Sequence, residues 1–136
     1  MPALFAAAFL LFTMACRQPA AAIIADQDFY TPAMSSTVGI GLSPAFEGGT
    51  ARCHWSTDYG HFVSWSPPDY KVVNLGQEAR NKGEKIYWSY DPSDISKEKP
   101  EVEIVLTLED PMSGAPVSGA SLRLRWRDLA TAEVVR

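Results

Sequence analysis

The sequence predicts an all-β protein, built as an antiparallel sandwich of about seven short strands. From Thr37 onwards, apolar and polar residues alternate with a period of two in several short runs. Glycine, proline, aspartate and asparagine residues separate these runs at regular intervals, as turns do. No segment shows the period of an amphipathic helix. This combination is typical of two antiparallel sheets packed face to face.

Each alternating run is interpreted as one strand. In chain order, the predicted strands cover residues 37–42, 51–57, 61–65, 70–75, 86–90, 101–108 and 122–127. The connections 43–49, 76–85 and 91–100 are polar or rich in glycine and proline, which favours turns and loops. Residues 109–119 are predicted to be the loop of the last hairpin.

Large apolar side chains recur on one face of these strands. Successive strand residues point to opposite faces, so Cys53 and Trp55 should point inward while His54 points outward. The same reasoning gives a predicted core, which comprises Trp55, Trp88, Leu106, Leu124 and Trp126. On the outer face of the last hairpin, glutamates at 101 and 103 should pair with arginines at 123, 125 and 127.

The N-terminus carries a different signal. Residues 1–15 have no charged side chain, and the apolar run 3–12 has the length of a signal-peptide core. This run ends in small residues before Cys16, which resembles the lipobox of bacterial lipoproteins. The resemblance implies a signal peptide over 1–15 and a lipid attached to Cys16. Cleavage after Ala22 to a soluble secreted or periplasmic form, or an apolar N-terminus buried in the fold, are the alternatives.

The predicted state of the two cysteines depends on whether Cys16 carries lipid. If Cys16 carries lipid, Cys53 has no partner and is predicted to be a small buried side chain. If Cys16 carries none, a disulfide between the two is possible in an oxidising compartment. Beyond Cys16, residues 16–36 are rich in Ala, Pro and Ser and are predicted to be a flexible tether. The sandwich is then assigned to 37–128 and a C-terminal tail to 129–136.

Three stretches resemble bacterial Ig-like and PKD-like domains. Residues 53–62 place a tryptophan shortly before a Gly-x-Phe, and residues 86–92 form a hydrophobic strand with a central tryptophan before a proline. Residues 102–126 form an alternating hairpin around a glycine-bearing loop. The resemblance covers about residues 37–128 and implies an Ig-like (PKD-like) sandwich. Cys53 has no cysteine partner on the 101–109 strand, so the domain is not of the antibody type.

Residues 53–62 also hold the side chains most suited to metal binding or catalysis. His54 and His61 could share an ion across a turn, although three or four converging ligands are needed. No Gly-x-Ser-x-Gly elbow is present, and a buried Cys53 thiol would be inert. The prediction is a chain that is not an enzyme and needs no cofactor, with a metal site at His54 and His61 as an alternative.

The remaining candidates are aromatic. Tyr59, His61, Trp65 and Tyr70 lie in or near one connection and would form a contact surface for protein or sugar if exposed. Loops at the ends of a sandwich are favoured positions for binding. Loops 57–69 and 109–119 are therefore the predicted contact segments.

These observations predict a non-catalytic lipoprotein of the bacterial cell envelope, anchored outside the cytoplasmic membrane, whose sandwich is a binding or spacer module. An inhibitor or ligand-binding lipoprotein that uses loops 57–69 or 109–119 is one alternative, and a metal-handling envelope protein is another. The expected partners are the membrane, through the lipid, and an envelope protein or carbohydrate. The net charge of -4 and pI near 5.1 argue against nucleic acid.

Overall fold

The chain folds into eleven strands in the part that the structure describes. The structure, a computed structural model, describes residues 21–46, 51–91, 100–128 and 130–136. The strands are β1 (Ala21–Ala25), β2 (Phe29–Tyr30), β3 (Ile40–Phe46), β4 (Arg52–Thr57), β5 (His61–Ser64), β6 (Val73–Gly76), β7 (Glu78–Asn81), β8 (Ile86–Ser89), β9 (Glu101–Glu109), β10 (Pro116–Trp126) and β11 (Ala132–Val134). Residues 1–20, with the predicted signal peptide and Cys16, lie outside the described ranges.

The strands form two antiparallel sheets. The first sheet has the order β1-β3-β8-β5-β6, and the second has the order β2-β11-β10-β9-β4-β7. Every paired neighbour runs antiparallel. The predicted all-β antiparallel sandwich is therefore confirmed. Across the described ranges, no helix has the length and apolar character needed to cross a membrane.

The core lies between the two sheets. Trp55, Trp88, Leu106 and Leu124 are completely buried, as predicted. Trp126 is only partly buried, which corrects its assignment to the core. It is the last residue of β10, and its ring packs against the core from the side, 4.9 Å from the ring of Tyr90.

The sandwich begins earlier than residue 37. Two strands, β1 and β2, lie within the range 16–36 that was predicted to be a tether, and they pair with β3 and β11. The alternation in 21–25 turns Ala21, Ile23 and Ala25 towards the core, and Tyr30 is buried. Short alanine-rich runs can therefore join a sheet when one face is covered.

The sandwich also ends later than residue 128. The predicted tail 129–136 contains β11, whose Ala132 and Val134 are buried against the core. Between them, Glu133 points outward, at 3.6 Å from Arg125 of β10 and 3.2 Å from Arg127, which directly follows β10. Three residues with this alternation are enough because β10 and β2 flank β11 on both sides.

Four further boundaries differ from the prediction, and one of them adds a strand, β7, which with β1, β2 and β11 raises the strand count from seven to eleven. Strand β3 continues through Phe46 into the predicted turn 43–49, and β6 occupies Val73–Gly76 rather than 70–75. The predicted polar loop 76–85 contains β7, and β10 begins at Pro116, inside the predicted loop 109–119. Edge strands such as β7 need few apolar residues because neither their outer face nor their free edge is buried.

The predicted ion pairs on the outer face of the last hairpin are confirmed in part. Arg123 lies 3.5 Å from Glu101 on the neighbouring strand β9. Arg125 and Arg127 instead meet Glu133 on β11. The arginines of these pairs are about half-exposed, and each pair stabilises the fold by about 1 kcal/mol at most.

Trp88 fits between the sheets because two glycines allow close approach. A Cβ atom at Gly39 would overlap the main-chain carbonyl oxygen of Trp88 and lie 2.9 Å from its carbonyl carbon. Gly60 has a φ of 78°, and a Cβ there would lie 2.8 Å from the indole ring. The chain before β3 and the turn before β5 therefore both depend on glycine.

Substitution Gly39→Ala should lower the free energy of unfolding by about 1–3 kcal/mol, because the overlap is with main chain that cannot rotate away. Gly119→Ala is the matched control in a strand, since its Cβ would lie 3.1 Å from the carbonyl oxygen of Leu106. The control should lose less than about 1 kcal/mol in the same urea titration. Equal losses would contradict the packing described for Trp88.

Candidate functional site

The four aromatic and imidazole candidates divide into two groups. Tyr59 and His61 line a cavity of about 370 Å³ at the start of β5. Trp65 and Tyr70 lie beyond the other end of β5, where their rings are 5.5 Å apart. The four residues of β5 hold the two groups about 13 Å apart along the strand. The structure therefore places the four residues in two separate cavities, one at each end of β5.

Trp65 and Tyr70 belong to a second aromatic cluster outside the inter-sheet core. The Trp65 ring also packs edge-on against Tyr87, at 5.6 Å, and Tyr87 is buried although it is absent from the core cluster. These three rings, with Leu75 of β6, line a cavity of about 500 Å³. We call this cavity the aromatic cleft. Its volume lies within the range of small-ligand sites, about 300–1,000 Å³.

Tyr70 has the most unusual backbone in the cleft. Its φ is 52°, and it is the one residue other than glycine with positive φ in the described ranges. Its N–H donates a hydrogen bond to the carbonyl oxygen of Ser66, which closes the turn. A bulky side chain in this region of φ costs about 1–3 kcal/mol. The Tyr70 side chain is nevertheless 52% exposed, so core packing does not explain its position.

Exposed apolar side chains gather next to the cleft. Seven large apolar residues are exposed in the described part of the chain, and four of them are in 70–75. These four are Tyr70, Val72, Val73 and Leu75. Strand β6 is the edge of the first sheet, so its apolar residues face solvent on an unpaired edge. Such an edge is a favourable surface for contact with another molecule.

Asn81 holds the loop that forms one wall of the cleft. Its Oδ1 accepts hydrogen bonds from the indole N–H of Trp55, at 3.3 Å, and from the N–H of Gly83, at 3.1 Å. Its Nδ2 donates to the carbonyl oxygen of Glu84 at 3.0 Å. One amide therefore satisfies a buried indole and fixes the turn 82–84.

Two charged residues of this wall keep their charges. The N–H groups of Glu84 itself and of Lys82 lower the pKa of the Glu84 carboxyl, and the Lys82 bond measures 2.7 Å. Lys85 Nζ donates to Asp26 at 2.7 Å, and this bond raises the pKa of the ammonium. Lys85 also lies 5.1 Å from the ring centroid of Tyr87. The cleft thus has an aromatic wall beside a fixed carboxylate and a fixed ammonium.

A smaller cavity of about 190 Å³ adjoins the cleft. It is lined by Arg52, Arg80, Lys82 and Asn81, and the last two positions of β7 line both cavities. Arg80 lies 3.5 Å from Glu109, whose side chain is only 14% exposed. We call Arg52, Arg80 and Lys82 the basic corner.

The two histidines lie in different sheets. His54 is on the outer face of β4, where Nε2 lies 3.0 Å from Glu78 and Nδ1 lies 3.7 Å from Glu109. His61 is on β5 of the first sheet, and the next residue, Phe62, points into the core. Nothing in the structure brings the two imidazoles together. Among the described residues, no three His, Cys, Asp or Glu side chains are grouped so that they could hold a metal ion.

Cys53 is completely buried on β4, and its thiol is free in the structure. Burial raises the pKa of the thiol, and the charge of Glu84 adds to this effect. The position agrees with the predicted small buried side chain. Its proposed alternative partner, Cys16, lies outside the described residues.

The two predicted contact loops contribute unequally. Segment 57–69 supplies Trp65 to the cleft, while 109–119 is a short turn around Asp110, followed by β10. In that turn Met112 is 93% exposed. Sequence reasoning missed Tyr87, Lys85 and Arg80. The sequence signal for Tyr87 is an aromatic residue at an outward position of the strand 86–90.

Comparison with protein-family models, curated proteins and solved structures found no match for the chain. The fold and the site described above therefore come from the physical arrangement of this chain alone.

Substitution Asn81→Ala should lower the free energy of unfolding by about 1–3 kcal/mol, because it leaves the buried Trp55 N–H without its acceptor. Asn74→Ala is the matched control. Its Oδ1 accepts from the N–H of Gly76 at an exposed site, so the loss there should be less than about 1 kcal/mol. Urea unfolding followed by tryptophan fluorescence measures both. A larger loss for Asn74→Ala would contradict the role assigned to Asn81.

Proposed function

We propose that the chain is a non-catalytic lipoprotein of the bacterial cell envelope whose Ig-like sandwich binds a ligand in the aromatic cleft. The observation that carries the binding role is Tyr70. Its ring stands half-exposed at a cavity of about 500 Å³, on a backbone that is unfavourable for a large side chain. Strain of this kind persists where surrounding structure enforces it, and it is concentrated at functional sites.

The alternative of a plain spacer module leaves Tyr70 and its neighbours without a role. A spacer needs a stable core and a polar surface, and the outer face of β9, β10 and β11 has such a surface. The cleft differs, because Trp65 and Tyr70 pack on each other instead of entering the core. Exposed aromatic rings of this kind dominate binding surfaces. The cleft therefore favours a binding module over a spacer.

The arrangement of charges supports binding rather than catalysis. Glu84 and Lys85 are each engaged by hydrogen bonds with neighbours, which keep the first ionised and the second protonated. A general acid or base works best with a pKa near the operating pH. Fixed charges of this kind suit the orientation of a polar ligand.

The envelope location is supported by the sequence of the N-terminus. The uncharged run before Cys16 and the small residue at position 15 resemble a lipoprotein signal. Strand β1 begins at Ala21, so only four residues, 17–20, separate Cys16 from the first strand. A lipid on Cys16 would hold the sandwich close to the membrane surface.

Intact mass of the protein from membranes of a bacterial host tests the anchor. A chain beginning at Cys16 with the added mass of a diacylglyceryl group is the expected result. Cys16→Ser is the control and should leave the chain unmodified. A chain cut after Ala22, or left uncut, would refute the anchor and leave the binding role to be judged separately.

The substitution Tyr70→Asn tests the binding role. Asparagine tolerates positive φ, so the variant should be as stable as the natural chain, or more stable by up to about 1 kcal/mol. When the variant is immobilised, we expect it to retain less ligand from cell-envelope fractions than the natural chain does. Met112→Asn removes an even more exposed apolar side chain outside the cleft and should leave the binding unchanged. A variant that loses stability but keeps binding would assign Tyr70 a structural role instead.

A further inference from the structure

The aromatic cleft and the basic corner are neighbouring cavities. Arg80 and Asn81 line both of them, so the two cavities adjoin at the end of β7, within reach of one extended ligand. The two cavities offer different chemistry. The first is walled by aromatic rings, and the second is lined by three cationic side chains.

The basic corner keeps a net positive charge. Its three cations face Glu109 and Glu84, and the third carboxylate on this face, Glu78, lies 3.0 Å from His54. Arg80 is the one engaged at salt-bridge distance, since neither Arg52 nor Lys82 forms an ion pair within the described residues. The chain as a whole carries a charge of -4, so this local excess of positive charge is opposite in sign to the protein. Charge complementarity therefore points to an anionic group on the ligand.

The cleft has the chemistry of a sugar site. The exposed ring of Tyr70 and the adjacent Trp65 offer flat apolar surfaces to the C–H face of a pyranose ring. Beside them, the Glu84 carboxylate accepts and the Lys85 ammonium donates hydrogen bonds, as sugar hydroxyls require. Both charges are already held by neighbours, which reduces the entropy lost on binding.

We infer that the ligand is an acidic glycan, whose sugar ring occupies the aromatic cleft and whose carboxylate or phosphate group occupies the basic corner. This inference rests on the proposed function, because it names the ligand of the same cleft. Arg80 of β7 pairs with His54 of β4, so it lies diagonally across from Arg52 on the same face of the second sheet, where two guanidinium groups can bind the oxyanion together.

An acidic peptide is the main competing ligand, and the geometry favours it less. An extended peptide would add to the free edge of β6, where main-chain hydrogen bonds are available. The basic corner is instead built on β4 and β7 of the other sheet. A compact ligand in the two neighbouring cavities contacts both the aromatic cleft and the basic corner. A peptide strand paired with β6 contacts only the apolar edge.

Calorimetric titration of the full 136-residue chain in detergent tests the inference. The probes are trigalacturonate, galactotriose with a terminal phosphate, neutral galactotriose and hexaglutamate. We expect one of the acidic sugars to bind about tenfold or more tightly than neutral galactotriose, the effect of one charge-assisted hydrogen bond. The acid that binds more tightly identifies the group as carboxylate or phosphate.

Two double variants locate the charge. Arg52→Gln with Lys82→Gln should abolish the preference for the acidic sugar over neutral galactotriose. Arg123→Gln with Arg125→Gln removes the same charge from the same sheet at a distance from the cleft and should leave the preference intact. An equal loss in both variants would show non-specific attraction and overturn the inference.

The remaining outcomes separate this inference from the proposed function. Equal binding of acidic and neutral sugars, tighter binding of hexaglutamate, or no binding of any sugar would each overturn the acidic glycan. The binding role of the cleft still stands if Tyr70→Asn weakens whichever ligand is retained. If Tyr70→Asn has no effect on any ligand, both proposals fail together.

Discussion

Burial of Trp88 between the two sheets is the constraint on which the rest of the structure depends. The indole N–H donates to the carbonyl oxygen of Tyr59 at 2.8 Å and lies 3.2 Å from the hydroxyl of Thr57, so the β4–β5 turn must curl over the ring. Gly60 makes that turn possible, and Gly39 lets β3 approach from the other side. These contacts fix the start of β5. The other end of β5 then places Trp65 in the aromatic cleft.

The cleft is a small second cluster on the outside of the first sheet. Tyr87 alternates with the core residues Ile86 and Trp88 and therefore points outward, where it would be exposed without a cover. Trp65 and Lys85 provide that cover. The same segment that protects the sheet thus creates a cavity, and its last contact, Tyr70, remains half in solvent. The opposite outer face has ion pairs instead and no such cluster in its described residues.

Strands that cross the core were predicted well, and strands at the margins were not. In 51–57 and 101–108 apolar and polar residues alternate along the strand. One face of each strand therefore packs in the core, and the other face is in contact with solvent. In contrast, β1, β7 and β11 have short or polar sequences, and they become strands only because a neighbour offers main-chain hydrogen bonds. The pattern within one segment does not indicate whether a distant segment of the chain will pair with it as a neighbouring strand.

The sequence by itself determined the all-β class, the inward faces of the central strands and the burial of Cys53. These depend on side-chain periodicity, which is local. Only the tertiary structure decided that Trp65 meets Tyr70 and Tyr87 in the aromatic cleft, because this contact joins segments that are distant along the chain. It also brought Arg80 near Arg52, since the sheet register pairs Arg80 with His54, two residues from Arg52. Spacing along the sequence reports which side of a strand a residue faces. Distance between residues on different strands is set by the pairing of the strands.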